Sequence, residues 1–298
     1  MKKRENKAMS KYDEYKELVE KKLDEFLPVE YPENIFKSMR YSVLAGGKRL
    51  RPVMCLEACR VLGGNVEDAV PTACAIEMLH AQSLIHDDLP CMDNDDYRRG
   101  KLTNHKVFGE ATAVLAGDAL LTFAPQLIIE KSKNISSEKI VKIINEYCKA
   151  AGAYGIIAGQ IVDIESEHKK ISAKTLEYLH THKTADLFKL ALRAGAIIAG
   201  ADDDKIDAIT EFGQNLGFAF QICDDILDET SSFEEMGKTL GKDKAEEKST
   251  YTSLFGLDKA RCEVSCLLDK ACAIMSAKGF DSEIFSEITD SIKRKACS

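Results

Sequence analysis

Apolar residues recur every three or four positions along nearly the whole chain, and this period commits it to helices. Tyr15, Leu18, Val19, Leu23, Phe26 and Leu27 share one face of a first helix. The same period runs through 53–62, 67–88, 140–148, 176–198, 206–228 and 257–278. No segment alternates in the way a half-buried strand must. Asn65 ahead of Asp68, and Ser172 ahead of Leu176, read as helix starts, because a short polar side chain there accepts from the free N–H groups of the first turn. Gly63-Gly64 and residues 200–204 read as breaks. No Ser-, Pro- or Gly-rich linker divides the chain, so residues 1–298 are expected to form a single all-α domain, one large helical bundle. Residues 111–121 and 197–201 are apolar nearly all round and are expected at its centre.

A net charge of -8 is the wrong sign for a nucleic-acid binder. Ten cysteines in a chain this long do not suggest a disulfide scaffold. Cys55, Cys59 and Cys74 lie inside apolar helical patterns and no CxxC pair occurs, so reduced thiols in a cytoplasmic protein are expected. The first residues lack the apolar run of a secretory signal. The most apolar stretch, 111–129, carries Asp118, Pro125 and Gln126, which suits a buried helix better than a stable membrane insertion.

Two aspartate clusters each close a strongly apolar helix. The first runs Asp87-Asp88-Leu89-Pro90-Cys91-Met92-Asp93, the second Asp224-Asp225-Ile226-Leu227-Asp228. Asp224 and Asp228 lie one turn apart on a helix face, with Asp225 beside them. Pro90 must end the first helix just after Asp88, and the chain must swing back to bring Asp93 toward the same place. A single such pair would be an ordinary solvated helix end. If the two helices that carry these like clusters are neighbours in the bundle, six carboxylates face one another across a gap, where they repel unless cations lie between them. Hard oxygen donors with room for water and phosphate oxygens describe a Mg²⁺ site.

Cationic groups suited to an anionic substrate accompany the clusters. Lys48, Arg49 and Arg51 follow Gly46-Gly47 and precede a helix with Pro52 in its first turn. Arg98 and Arg99 follow the first cluster, and Lys183, Lys238 and Lys248 come later. Residues 229–249 are polar, carry Gly237 and Gly241, and read as a surface loop placed to act as a lid, with Lys238 reaching the phosphates. His86 reads as a core histidine.

In this order, GGKRLRP, DDLPCMDNDDYRRG, LAGDALL, Gly159-Gln160, His182-Lys183-Thr184, FQICDDILD and KSTY resemble the short-chain trans-isoprenyl diphosphate synthases, over about 41–261. The resemblance implies a helical bundle with a central active-site cavity and head-to-tail joining of isopentenyl diphosphate to allylic diphosphates. It implies three Mg²⁺ ions, with Mn²⁺ as a substitute, held by Asp87, Asp88, Asp93, Asp224, Asp225 and Asp228. It places Lys48, Arg51, His80 and Arg99 at the isopentenyl diphosphate and Arg98, Lys183, Thr184, Gln221 and Lys238 at the allylic one, with Gly47 and Lys248 also taken as substrate-binding. Asp87, Asp88, Lys183, Asp224 and Lys238 would carry the catalysis, in a homodimer.

Three departures stand out. Ala185 and Asp186 follow His-Lys-Thr where the family usually has Gly, and Asp186 brings a negative charge near Lys183. Asn94 replaces a frequent aspartate. Gln82 stands where farnesyl synthases carry an aromatic, so Gln82 and Ser83 are taken to form the floor of the tail cavity, which then runs past Met78 and Ala75. The Pro90-Cys91 insertion points to farnesyl diphosphate (C15), with geranylgeranyl diphosphate (C20) as the alternative. Competing readings are a terpene cyclase on the same metal site, a di-iron bundle using Glu77-x-x-His80 and Glu165-x-x-His168, and a non-catalytic helical partner.

Overall fold

The computed structural model describes residues 9–230 and 249–297. The helices run α1 (Lys11–Phe26), α2 (Glu33–Val43), α3 (Leu50–Val61), α4 (Val66–Asp87), α5 (Asn104–Phe108), α6 (Glu110–Lys131), α7 (Ser137–Ala151), α8 (Ile156–Ser166) and α9 (Ala173–Leu179). A π-helical turn at His180–Ala185 joins α9 to α10 (Asp186–Ala199). Then come α11 (Asp203–Thr230), α12 (Tyr251–Phe255), α13 (Leu257–Ala277) and α14 (Glu283–Cys297). The expected starts are in place: the Asn65 side chain accepts from the Glu67 N–H at 3.3 Å and Ser172 from Thr175 at 3.1 Å.

One hydrophobic core joins the described helices. At its centre lie α3, buried on every side from Pro52 to Cys59, and α10, which packs along it. α4 lies between α3 and α6, and α11 between α10 and α13. The all-α class is as expected. A two-stranded hairpin, Tyr97–Arg98 with Lys101–Leu102, is the strand structure among the described residues. Its turn residues Arg99 and Gly100 both take positive φ, the geometry that matches the twist of a tight hairpin.

Three expectations need correction, and three helices were not expected. α6 is not central: Leu115 is 60% exposed and Ile129 60%, so its outer stripe lies open although 111–121 is apolar all round. The segment 176–198 is helical throughout but not regular, because a π-helical turn widens it at His180–Ala185. α2, α8 and α14 carry patterns too short or too mixed to stand out from the sequence. Glu229 and Thr230 belong to α11 rather than to the polar loop, and Ser249 is held by Lys169 and Ile171; residues 231–248, with Lys238 and Lys248, lie outside the described residues.

Candidate active site

α4 and α11 end on opposite sides of a polar cavity of about 310 Å³. Arg51, His80, Ser83, Asp87, Arg98, Arg99, Gln160, Lys183, Thr184, Gln221 and Asp224 all line it. Seven of these were expected as substrate residues and two as metal ligands. Lys48 and Gly47 sit at its margin. The Arg99 guanidinium lies so close over Gly47 that a Cβ there would come within 2.9 Å of Cζ.

α4 stops at Asp87 and Asp88 caps it, as Pro90 demands. The chain then folds back on itself. The Asp93 N–H donates to the Asp87 carbonyl at 2.8 Å and the Asp95 N–H to that of Asp88 at 3.2 Å. Asn94 takes φ 48 in this turn, a left-handed conformation that asparagine tolerates better than most residues. The substitution of aspartate by Asn94 therefore suits the backbone.

The six aspartates do different things. Asp87 and Asp224 face the cavity. Burial raises the Asp87 carboxyl to about 6, against the pull of Lys183. Asp88 is 3% exposed and accepts from Arg98 Nε at 2.7 Å, and burial likewise raises it to about 6. Asp225 is 5% exposed and is absent from the cavity wall. Its oxygens accept from Gln221 Nε2 at 3.1 Å and from the Tyr251 N–H at 2.8 Å. Asp88 and Asp225 hold Arg98, Gln221 and the start of α12 in this structure, while Asp87 and Asp224 face the cavity. Among the described residues no three His, Cys, Asp or Glu side chains close on one point. Asp87 and Asp224 instead line one cavity, which fits a hard cation that keeps water and phosphate oxygens as further ligands.

The cations are held with equal specificity. Lys183 projects from the π-turn to Asp163, one turn beyond Gly159-Gln160 on α8. Burial opposes its charge, yet Asp163, Asp87 and Asp93 outweigh it and hold the ammonium above its ordinary value. Asp163 escaped the sequence reading, although its spacing of four from Gly159 was a usable signal. Gly159 permits the approach: a Cβ there would lie 2.7 Å from the Lys183 Cα. Thr184 donates to Gln221 at 2.7 Å. Asp186 does not burden Lys183, because His182 at 2.7 Å and Lys189 at 2.6 Å pair with it. Ala185 packs against Gly217 on α11, where a Cβ would come within 2.7 Å of its own. Burial, followed by four neighbouring arginines, keeps His80 far below its ordinary pKa, so it faces the cavity neutral.

A second cavity of about 350 Å³ adjoins the first and shares Ser83, Asp87, Ile156 and Gln160 with it. Its remaining wall is mostly apolar, from Leu89 and Met92, Val114 of α6, and Ile157, Ile161 and Ile164 of α8. Gln82 lines it but is folded aside: its Nε2 lies 3.1 Å from His86 Nδ1, and His86 Nε2 lies 3.1 Å from the Val114 carbonyl. The carbonyl only accepts, so His86 carries its proton on Nε2 and Nδ1 accepts from Gln82. His86 is a half-buried bridge rather than a core residue. Met78 and Ala75 are fully buried and do not line the cavity, so the floor runs sideways toward α8 instead of down α4.

The polyprenyl synthetase family model matches residues 32–283. The chain belongs to this family. It is therefore a prenyltransferase, and the likeness extends over most of its length. A chloroplastic geranylgeranyl pyrophosphate synthase of Catharanthus roseus is 52% identical, over 82% of this chain and 68% of that one. An FPP/GFPP synthase structure from Zymomonas mobilis covers 96% of this chain and 95% of its own, at TM-score 0.81 and 34% identity. A Helicobacter pylori geranyltransferase complexed with magnesium and isoprenyl diphosphate covers 97% and 98%, at TM-score 0.82 and 32% identity. The di-iron alternative fails on geometry: Glu77 pairs with Arg49 at 2.6 Å, and Glu165 and His168 are exposed.

Proposed function

We propose that this family member is a short-chain trans-isoprenyl diphosphate synthase, joining isopentenyl diphosphate head to tail to an allylic diphosphate. The observation that carries the reading is the shared wall: a cavity lined by Asp87, Asp224 and several cations adjoins a mostly apolar one across Ser83, Asp87, Ile156 and Gln160. Mg²⁺ held by Asp87, Asp93 and Asp224 would neutralise the allylic diphosphate and make it a leaving group. Arg98 and Lys183 bind that same diphosphate, with Lys183 oriented by Asp163. Lys48, Arg51, His80 and Arg99 hold the isopentenyl diphosphate. Leu84, Ile156, Leu187 and Phe220 keep water from the carbon centre where the new bond forms. The expelled diphosphate is the base for the proton lost at the end, and no side-chain nucleophile is required.

For the product we infer C20. Gln82 spends its amide on His86 and leaves the path toward α8 open, and the Catharanthus relative is a geranylgeranyl synthase. The Pro90-Cys91 insertion favours C15 as the second reading. Incubation with isopentenyl diphosphate, Mg²⁺ and dimethylallyl, geranyl or farnesyl primers, followed by chromatography of the dephosphorylated products, tests both levels. No prenyl product from any primer overturns the activity, and C15 as the end product with farnesyl diphosphate refused overturns the C20 inference. Homodimerisation is supported by the open stripe of Leu115 and Ile129 on α6 and by Val141 on α7, 67% exposed. Sedimentation equilibrium at micromolar concentration checks it.

A further inference from the structure

The loop that precedes α3 carries two of the cations assigned to isopentenyl diphosphate, Lys48 and Arg51, yet the side chain between them points the other way. Arg49 is 3% exposed and lies under the loop. Its Nη1 donates to Glu77 Oε1 at 2.6 Å and its Nη2 to the Val43 carbonyl at 2.8 Å. Glu77 is 2% exposed and sits on α4 one turn before His80, which lines the polar cavity. The backbone of Arg49 takes φ 52, a left-handed conformation that a non-glycine residue keeps only where its surroundings enforce it. Its carbonyl accepts from the Val53 N–H at 3.1 Å and so starts α3.

The loop is fixed at two more points. Tyr12 of α1 donates to the Lys48 carbonyl, and Arg99 donates to the Gly46 carbonyl. Of the three attachments the Arg49 to Glu77 pair is the buried one. It reaches furthest, because the Glu77 charge acts on Arg51 and Arg99 as well and favours their protonated forms.

We propose that Arg49 is a positioning residue, which through Glu77 aims Lys48 and Arg51 at the isopentenyl diphosphate without touching it. This rests on the assignment of Lys48 and Arg51 to that substrate. With Arg49 removed, the loop loses its buried anchor and Glu77 is left as an uncompensated charge beneath the site. The allylic side, built on Asp87, Asp224 and the π-turn, stands on other elements. The two substrates should therefore respond differently, which a general loss of folding would not produce.

The test measures KM for isopentenyl diphosphate and for the allylic primer, with melting temperature, in Arg49→Lys, Arg49→Met, Glu77→Gln, the Arg49→Met/Glu77→Met double variant and Lys48→Ala. Arg49→Met and Glu77→Gln should each raise KM for isopentenyl diphosphate about tenfold or more, a size typical of a binding group displaced by a fraction of an ångström, with the primer KM within about twofold. Arg49→Lys should recover part of the loss. The double variant should be no worse than either single one, since no lone charge remains. If both KM values stay at wild type in Glu77→Gln and Arg49→Lys, or both rise together, the inference fails even if Arg49→Met does not fold. If Lys48→Ala also leaves the isopentenyl diphosphate KM unchanged, the substrate assignment itself is at fault.

Discussion

Gly117→Ala puts the account of the tail cavity at risk through a residue that touches no substrate. Gly117 lies inside α6, where alanine ordinarily stabilises a helix by about 1 kcal/mol. Here the added methyl would overlap the His86 ring, coming within 2.7 Å of Cε1 and closer still to Nε2. The ring must move, and it is 28% exposed, so it has somewhere to go. Moving it breaks the bonds to Gln82 and Val114, each worth about 1 kcal/mol. The loss of about 2 outweighs the propensity gain, for a net destabilisation of about 1 kcal/mol, or a fall in Tm of about 2–4 °C. In a His86→Ala background the clash is gone, and the same substitution should raise Tm. Scanning calorimetry of the four proteins in this cycle reads the sign directly. Stabilisation by Gly117→Ala in the presence of His86 would refute the bridge, and with it the reason Gln82 leaves the cavity open. Because the released amide re-enters the cavity, Gly117→Ala should also shift products toward shorter chains.

Asp87→Ala and Asp224→Ala should each lower kcat by about 10²-fold or more, with chelator abolishing turnover; wild-type rates in either variant would remove the metal site from the reading. Gln82→Phe should shorten the product distribution and Gln82→Ala lengthen it, which chromatography of dephosphorylated products reads. Burial and the adjacent Lys295 ammonium pull Lys48 down to about 8. The charge that binds diphosphate is therefore lost as pH rises through about 8, and KM for isopentenyl diphosphate should climb there; Lys295→Met should move that climb to higher pH. Identical KM profiles in the two proteins would show that Lys48 carries no part of the pH response.

The sequence revealed what local chemistry controls. Helical period, the caps at Asn65 and Ser172, the stop at Pro90 and the two carboxylate clusters are all set by residues within a turn or two of one another. It was silent where partners come from distant elements. Asp88 and Asp225 read like their neighbours, and only the fold shows that Arg98 and the Tyr251 N–H occupy them. Asp163 becomes functional only when α8 meets the π-turn. That turn was hidden because one wider turn does not disturb an apolar pattern. The tail wall was missed because Ile157, Ile161 and Ile164 line a cavity that leaves them exposed, so their apolarity does not mark a core face. The α6 pattern misled for a related reason, since apolarity records that a surface is covered without saying by what.

The common rim of Ser83, Asp87, Ile156 and Gln160 bears on how chain growth stops. In the chain growth proposed for this protein, the lengthened tail would already occupy the place the next primer's tail requires, and only the diphosphate end would have to cross to the carboxylate side. Translocation and escape then compete at every cycle. Abundant isopentenyl diphosphate captures the translocated intermediate, while scarcity gives it time to leave. The C15 to C20 ratio is on this view a branching ratio between two rates, set by cellular supply as much as by the depth of the pocket.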